Sequence, residues 1–143
     1  MSTKLLSVVT EISSGVISLN LAQALEIKDG EVVALVGAGG KTTTMFALAR
    51  ELSKRGKKVV LTTTTKIMVP GPNETPLLVV EENLEKALVL IREGLQKYSM
   101  ITAGTRILPD GKLAGIPTEW VEEIKRIKGV INVIVEADGA AGK

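Results

Sequence analysis

The segment Val32-Val33-Ala34-Leu35-Val36-Gly37-Ala38-Gly39-Gly40-Lys41-Thr42-Thr43-Thr44 limits the folds open to this chain more than any other. Its five consecutive apolar residues suit a strand covered on both faces. The glycines then permit backbone angles and close approaches that a Cβ would block, and a helix opens directly after them. Amides at a helix start lack intrahelical partners and lie at the positive end of the macrodipole, so an anion is favoured there. Lys41 adds a long cation for outer phosphates, and Thr42 a hydroxyl suited to Mg²⁺. Gly37, Ala38, Gly39, Gly40, Lys41, Thr42 and Thr43 are therefore the candidate phosphate contacts.

The loop departs from the common pattern. In G-x-x-x-x-G-K-[ST] the first glycine would stand at Leu35; here the motif is G-x-x-G-K-T, from Gly37 through Thr42, which leaves fewer amides to wrap a triphosphate. The rival dinucleotide pattern G-x-G-x-x-G fails at its third glycine, where Thr42 stands. The acid that should end the next strand and hold a ribose is also missing, because Thr62 to Thr65 occupy that region. Phosphate binding is preferred to nicotinamide binding on both counts.

The chain has 143 residues, enough for one domain with a real core. Hydrophobic residues make up 45% but aromatics only 2%, so the core must be aliphatic, as buried parallel sheets often are. Phe46, Tyr98 and Trp120 are too few to support recognition of single-stranded nucleic acid by stacking. A net charge of +2 does not argue for a polyanionic partner, and the basic run Lys54-Arg55-Gly56-Lys57-Lys58 sits at a helix end, where cations complement the dipole. With no cysteine and no histidine, thiolate chemistry, a Ser-His-Asp triad and histidine metal ligation are excluded. Catalysis must rest on Lys, Asp, Glu, Thr, backbone amides and a bound cation. No apolar run approaches the roughly 18 residues that span a bilayer, and the first residues lack the apolar core of a signal peptide. The reading is a cytoplasmic protein with no membrane and no nucleic-acid partner.

Met1 to Gly15 has no clean period, and Leu5, Leu6, Val8 and Val9 fit a short helix or an edge strand. Asn20-Leu21-Ala22-Gln23 has the form of a capping box opening a helix through Leu25, and Lys28-Asp29-Gly30 ends it in a turn. After the glycine loop, Met45, Leu48, Ala49 and Leu52 form one apolar stripe that suits a helix lying on a sheet; Gly56 stops it. Val59-Val60-Leu61 is the next strand, which predicts a right-handed crossover and parallel pairing. Thr62-Thr63-Thr64-Thr65-Lys66 then leaves its carboxyl end, where open α/β sheets place ligands. Thr64, Thr65 and Lys66 are candidates to line the phosphate or metal site; threonine's ordinary preference for strands explains the run equally well. Pro70 to Pro76 is a loop, either a flap or a connection. Leu77 to Val80 and Met100 to Ala103 read as strands, with an amphipathic helix on Leu84, Ala87, Leu88, Ile91 and Leu95 between them. Pro109-Asp110-Gly111-Lys112 predicts a hairpin between Ile107-Leu108 and Leu113, with Arg106 and Lys112 as solvated side chains.

Thr118 is placed to cap a helix carrying Trp120, Val121, Ile124 and Ile127. The last strand, Val130 to Val135, delivers Glu136-Ala137-Asp138-Gly139 to the edge where the glycine loop lies. Two carboxylates there resemble a Walker B segment: Glu136 and Asp138, with Thr42, can hold Mg²⁺ directly or through water and orient an attacking water. Lys41, Glu136 and Asp138 are accordingly the candidate catalytic residues. Gly139-Ala140-Ala141-Gly142-Lys143 repeats the G-x-x-G-K spacing, but no helix follows it. The sequence therefore reads as the N-terminal portion of a longer protein, a single nucleotide-binding domain over residues 1–143.

V-G-A-G-G-K-T-T-T at Val36 to Thr44, T-T-T-T-K at Thr62 to Lys66 and V-E-A-D-G-A at Val135 to Ala140, in that order, resemble the YqeC family, and so does the hairpin stretch Gly104 to Gly115. The resemblance implies an accessory protein for selenium-dependent molybdenum hydroxylases, with such a hydroxylase or its cofactor as partner. Locally, the loop is similar to that of Mur ligases and folylpolyglutamate synthases, where G-T-x-G-K-T binds ATP. The expected fold is α/β, a P-loop NTPase-like three-layer sandwich with a mainly parallel sheet, helices on both faces and a small β-hairpin insertion. The expected function is Mg²⁺-dependent binding of ATP or GTP with phosphoryl chemistry, hydrolysis and transfer to an acceptor (as in a ligase or kinase) both remaining open. The alternative is a non-catalytic chaperone that binds a nucleotide or a molybdopterin cofactor.

Overall fold

Nine strands and three helices follow one another in the computed structural model, which describes residues 3–8, 25–37 and 39–137. They are β1 (Thr3–Val8), β2 (Val32–Gly37), α1 (Lys41–Lys54), β3 (Val59–Thr63), β4 (Lys66–Ile67), β5 (Leu78–Val80), α2 (Leu84–Gly94), β6 (Met100–Gly104), β7 (Arg106–Ile107), β8 (Leu113–Ala114), α3 (Trp120–Lys125) and β9 (Asn132–Glu136). Six strands form one sheet in the order β1-β2-β9-β3-β6-β5, and every pairing in it is parallel. The remaining three form an antiparallel sheet, β4-β8-β7.

Strand alternation sorts the apolar residues onto two faces. Val33, Leu35, Val59, Leu61 and Ile134 point to one side and bury Met45, Phe46, Leu48, Ala49 and Leu52 of α1. Val32, Val60, Ile101, Val133 and Val135 point to the other and cover Ala87 and Ile91 of α2 and Trp120 and Ile124 of α3. The result is a three-layer α/β sandwich with an aliphatic core. A fully buried leucine such as Leu35, Leu48 or Leu61 contributes about 2 kcal/mol through removal of its apolar surface from water.

Several sequence expectations are settled here. The ambiguous N-terminal stretch is a strand, and the parallel register Thr3↔Val32 through Val8↔Gly37 makes it the edge partner of β2. The short helix expected from Asn20 lies outside the described residues but for Leu25, which is in a turn. Gly56 has φ +82 and closes α1, as its position predicted. β2 runs one residue past Val36 to Gly37, and β3 takes in Thr62 and Thr63. Thr118 is not the cap of α3: the N-cap is Glu119, no side chain caps this helix, and Thr118 contributes only its carbonyl, to the amide of Val121. The hairpin forms, and it recruits a third strand, β4, that the sequence pattern did not announce.

β9 is the last strand among the described residues, yet it lies between β2 and β3. The crossover through α1 therefore skips one strand position and leaves a slot that β9 fills. This topology sets the residue that ends β9 between the ends of β2 and β3.

Candidate functional site

Three strand ends meet at the carboxyl edge. Leu35 of β2 and Thr63 of β3 are both in register with Glu136 of β9. The amide of Ala137 donates to the Leu35 carbonyl at 2.9 Å, and that of Thr64 donates to the Glu136 carbonyl at 3.2 Å. Glu136 is thus held by backbone bonds from both sides before its side chain makes any contact.

The loop from β2 to α1 takes the conformation its glycines allow. Gly37, Gly39 and Gly40 have φ of +116, +69 and +74, angles that strain residues bearing a Cβ. Gly40 is the N-cap of α1 in the left-handed region; no side chain caps the helix, and its first turn holds no acid. Its first amides thus meet neither a capping side chain nor a local carboxylate, which leaves the positive end of the dipole available to an anion.

Lys41 and Thr42 open that helix and reach across to β9. The Lys41 ammonium donates to the Ala137 carbonyl at 3.1 Å. The Thr42 hydroxyl donates to Glu136 Oε1 at 2.5 Å. Glu136 is 7% exposed, so a buried carboxylate and a hydroxyl, both hard oxygen donors, share one place beside a lysine and an uncapped helix start. Among the described residues no group of three or more acidic, histidine or cysteine side chains could hold a metal.

The other predicted residues are distributed as follows. Thr43 is exposed beside Thr42. Thr64 contributes the amide that binds the Glu136 carbonyl. Thr65 is exposed; its amide is held by Thr63 Oγ1 at 3.1 Å. Lys66 is directed to Asp110 in the hairpin turn, Nζ to Oδ2 3.2 Å. Ala38 and Asp138 lie outside the described residues. Lys41, Thr42 and Glu136 are therefore brought together, while Lys66 is engaged at the small sheet.

One contributor escaped the sequence reading, and a second was read only as part of the threonine run. The Ala137 carbonyl, which anchors Lys41, carries no side-chain signal. Thr63 is fully buried, donates to the Glu136 carbonyl at 2.9 Å and so turns the end of β3 against β9. Continuing the two-residue alternation of Val59 and Leu61 would have placed Thr63 on their buried face.

A family model described as YqeC protein matches residues 33–143. The chain belongs to the YqeC family. A relative in Escherichia coli (strain K12), "Uncharacterized protein YqeC", is 28% identical over 111 residues, covering 78% of this chain and 41% of that protein. This YqeC chain thus spans about two-fifths of the length of that relative. No solved structure matches it. Among the described residues no helix is long and apolar enough to cross a membrane.

Proposed function

We propose that this YqeC chain is a single nucleotide-binding domain that takes a nucleoside triphosphate, ATP or GTP, with Mg²⁺, and carries out phosphoryl chemistry on it. The observation that supports this reading is the Thr42–Glu136 hydrogen bond. In phosphate-loop proteins the loop hydroxyl and the carboxylate at the end of a neighbouring strand are the two protein ligands of Mg²⁺, and here that pair is already in contact. Glu136 stands where such proteins carry aspartate.

Bound at Thr42 and Glu136, Mg²⁺ would neutralise charge on the outer phosphates. The chain's own residues do the rest. The uncapped amides of Gly37 to Gly40 and the start of α1 receive phosphate oxygens. Lys41 exchanges the Ala137 carbonyl for a phosphate oxygen, a charge-assisted bond and so a stronger one. Asp138, two residues beyond Glu136 in the sequence, is the proposed orienting carboxylate. The family resemblance adds the setting: cytoplasmic maturation of selenium-dependent molybdenum hydroxylases, with the hydroxylase or its cofactor as partner.

Nucleotide affinity and turnover with and without Mg²⁺, on wild type and Lys41→Ala, test the reading. We expect Lys41→Ala to weaken nucleotide binding at least tenfold, about 1.4 kcal/mol, and to abolish turnover. Tight binding without turnover in wild type would leave a nucleotide-sensing chaperone instead, and no nucleotide affinity in either protein would end both readings.

A further inference from the structure

The small antiparallel sheet stands on the same edge as the site, and the nucleotide reading assigns it no role. Its registers are Lys66↔Ala114 and Ile67↔Leu113 on one side, Arg106↔Ala114 and Ile107↔Leu113 on the other. Residues directly opposite in adjacent strands share a face. Ile67 and Leu113 are buried and hold the sheet to the core. The opposite face presents the row Lys66–Ala114–Arg106, two long cations flanking a methyl group. Each flanking backbone is about 5 Å from that of Ala114, so the two side chains bracket a gap that only a small residue leaves open.

This row is pre-set. A Cβ on Gly115 would strike the Thr63 carbonyl oxygen, and one on Gly104 would strike the Leu113 side chain; both glycines allow the close approach of the small sheet to the ends of β3 and β6. A continuous chain of hydrogen bonds then ties it to the site. Thr105 Oγ1 donates to the Gly115 carbonyl at 2.8 Å, the Gly115 amide to the Thr65 carbonyl at 2.7 Å, the Thr65 amide to Thr63 Oγ1 at 3.1 Å, and Thr63 Oγ1 to the Glu136 carbonyl at 2.9 Å. Sites built on rigid elements hold their geometry better than sites on loops.

The charges are unbalanced. On the strands and turn of the small sheet, residues 66–67 and 106–114, Lys66, Arg106 and Lys112 stand with one carboxylate, Asp110. Asp110 is taken by Lys66 at 3.2 Å and by the Lys112 amide at 3.0 Å. Among the described residues the Arg106 guanidinium, whose planar fork matches a tetrahedral oxyanion, has no acceptor. β4 follows directly from β3, which lies two strand spacings from β2, about 10 Å. That offset puts the strand leading to the row and the strand leading to the Gly37–Thr42 loop on one sheet, two positions apart.

We propose that the Lys66–Ala114–Arg106 row is a second oxyanion subsite, which takes a phosphate group carried by a second substrate of the nucleotide site. The proposal rests on the nucleotide reading for that partner, and the shared chemistry, a phosphate, could also come from the nucleotide itself. The test separates the two. Inorganic phosphate is titrated into the intact protein saturated with Mg²⁺ and a non-hydrolysable triphosphate, with the NMR shift of the Ala114 amide as readout. Expected is a saturable shift in wild type, weakened at least tenfold in Arg106→Ala and lost in Arg106→Glu, with nucleotide affinity in Arg106→Ala within twofold of wild type. Unchanged phosphate binding in both variants overturns the proposal, and so does a loss of nucleotide affinity in Arg106→Ala equal to the loss for phosphate. If wild type binds no nucleotide, the nucleotide reading fails by itself; the same phosphate titration on Lys41→Ala, with the loop cation removed, still reads the row, and no Ala114 shift there overturns it.

Discussion

Thr42-Thr43-Thr44 at the start of α1 and Thr62-Thr63-Thr64-Thr65 at the end of β3 set the same hydroxyls on one edge of the sheet, and the backbone gives them opposite tasks. Helical geometry turns successive side chains by about 100°, so the first run spreads: Thr42 meets Glu136, Thr43 is exposed, and Thr44 is buried with a hydroxyl that has no hydrogen-bond partner. Strand geometry turns them by half a circle, so Thr62 and Thr63 go to opposite faces and each ties β3 to a neighbour. Thr62 donates to Ala103 of β6 at 2.7 Å and Thr63 to Glu136 of β9 at 2.9 Å. Composition marks both runs as candidate ligands; only the period of the element decides which hydroxyl faces the site.

The largest expected effect comes from crossing the two runs. Thr63→Val removes a buried donor and strands the Thr65 amide, so it should destabilise the fold by about 1–3 kcal/mol while keeping most of the thermal stabilisation given by Mg²⁺ and nucleotide. Thr42→Val should lose most of that ligand-dependent stabilisation, which for wild type at a hundredfold excess over Kd is about 2.7 kcal/mol. Thermal unfolding of both variants with and without Mg²⁺ and nucleotide reads the crossing. A pair that behaves alike would erase the distinction between ligand and staple.

Thr44→Val sharpens the same contrast at smaller amplitude. It exchanges an unpartnered buried hydroxyl for a methyl of the same shape, with little change in helix propensity. We expect a neutral result or a gain of up to about 1 kcal/mol, read as a shift of the urea midpoint at constant slope. A loss comparable to that of Thr63→Val would show that this hydroxyl is bonded.

The strand alternation that buries Leu35 and Leu61 was legible from the apolar runs, as was α1 from Met45, Leu48, Ala49 and Leu52, because burial on this scale leaves a period in the sequence. The turn at Gly37, Gly39 and Gly40 was legible because its positive φ angles favour glycine, and the strand end at Glu136 because an apolar run leads into it. The pairing of Lys66-Ile67 with β8 was not, since two residues carry no period and the contact joins segments more than forty positions apart. Nor was the cap of α3: Thr118 is a good capping residue by type, but the chain turns once more before the helix begins.

The smallest effect concerns the end of the second run, where Lys66 meets Asp110. The Lys112 amide, with Lys66 beside it, holds the Asp110 carboxyl below its ordinary value. A group depressed in the folded state contributes stability above its unfolded pKa and loses it as pH falls through the folded one. The Asp110 carboxyl carbon should therefore titrate with a midpoint below that of a free aspartate, and with no competing anion present the Lys66 contact should be released as pH falls through that midpoint. An ordinary midpoint would mean that neither the Lys112 amide nor Lys66 holds the carboxylate as described.

The insertion of β9 between β2 and β3 has a consequence for the birth of the protein. A chain made from its N-terminus offers β2, α1 and β3 first, and the two strands stand apart with their facing backbone groups unpaired. The strand that closes this gap is the one that ends in Glu136. Completing the middle of the sheet and delivering the carboxylate to Thr42 are a single event, so a molecule that has finished folding already carries its acid beside the glycine loop.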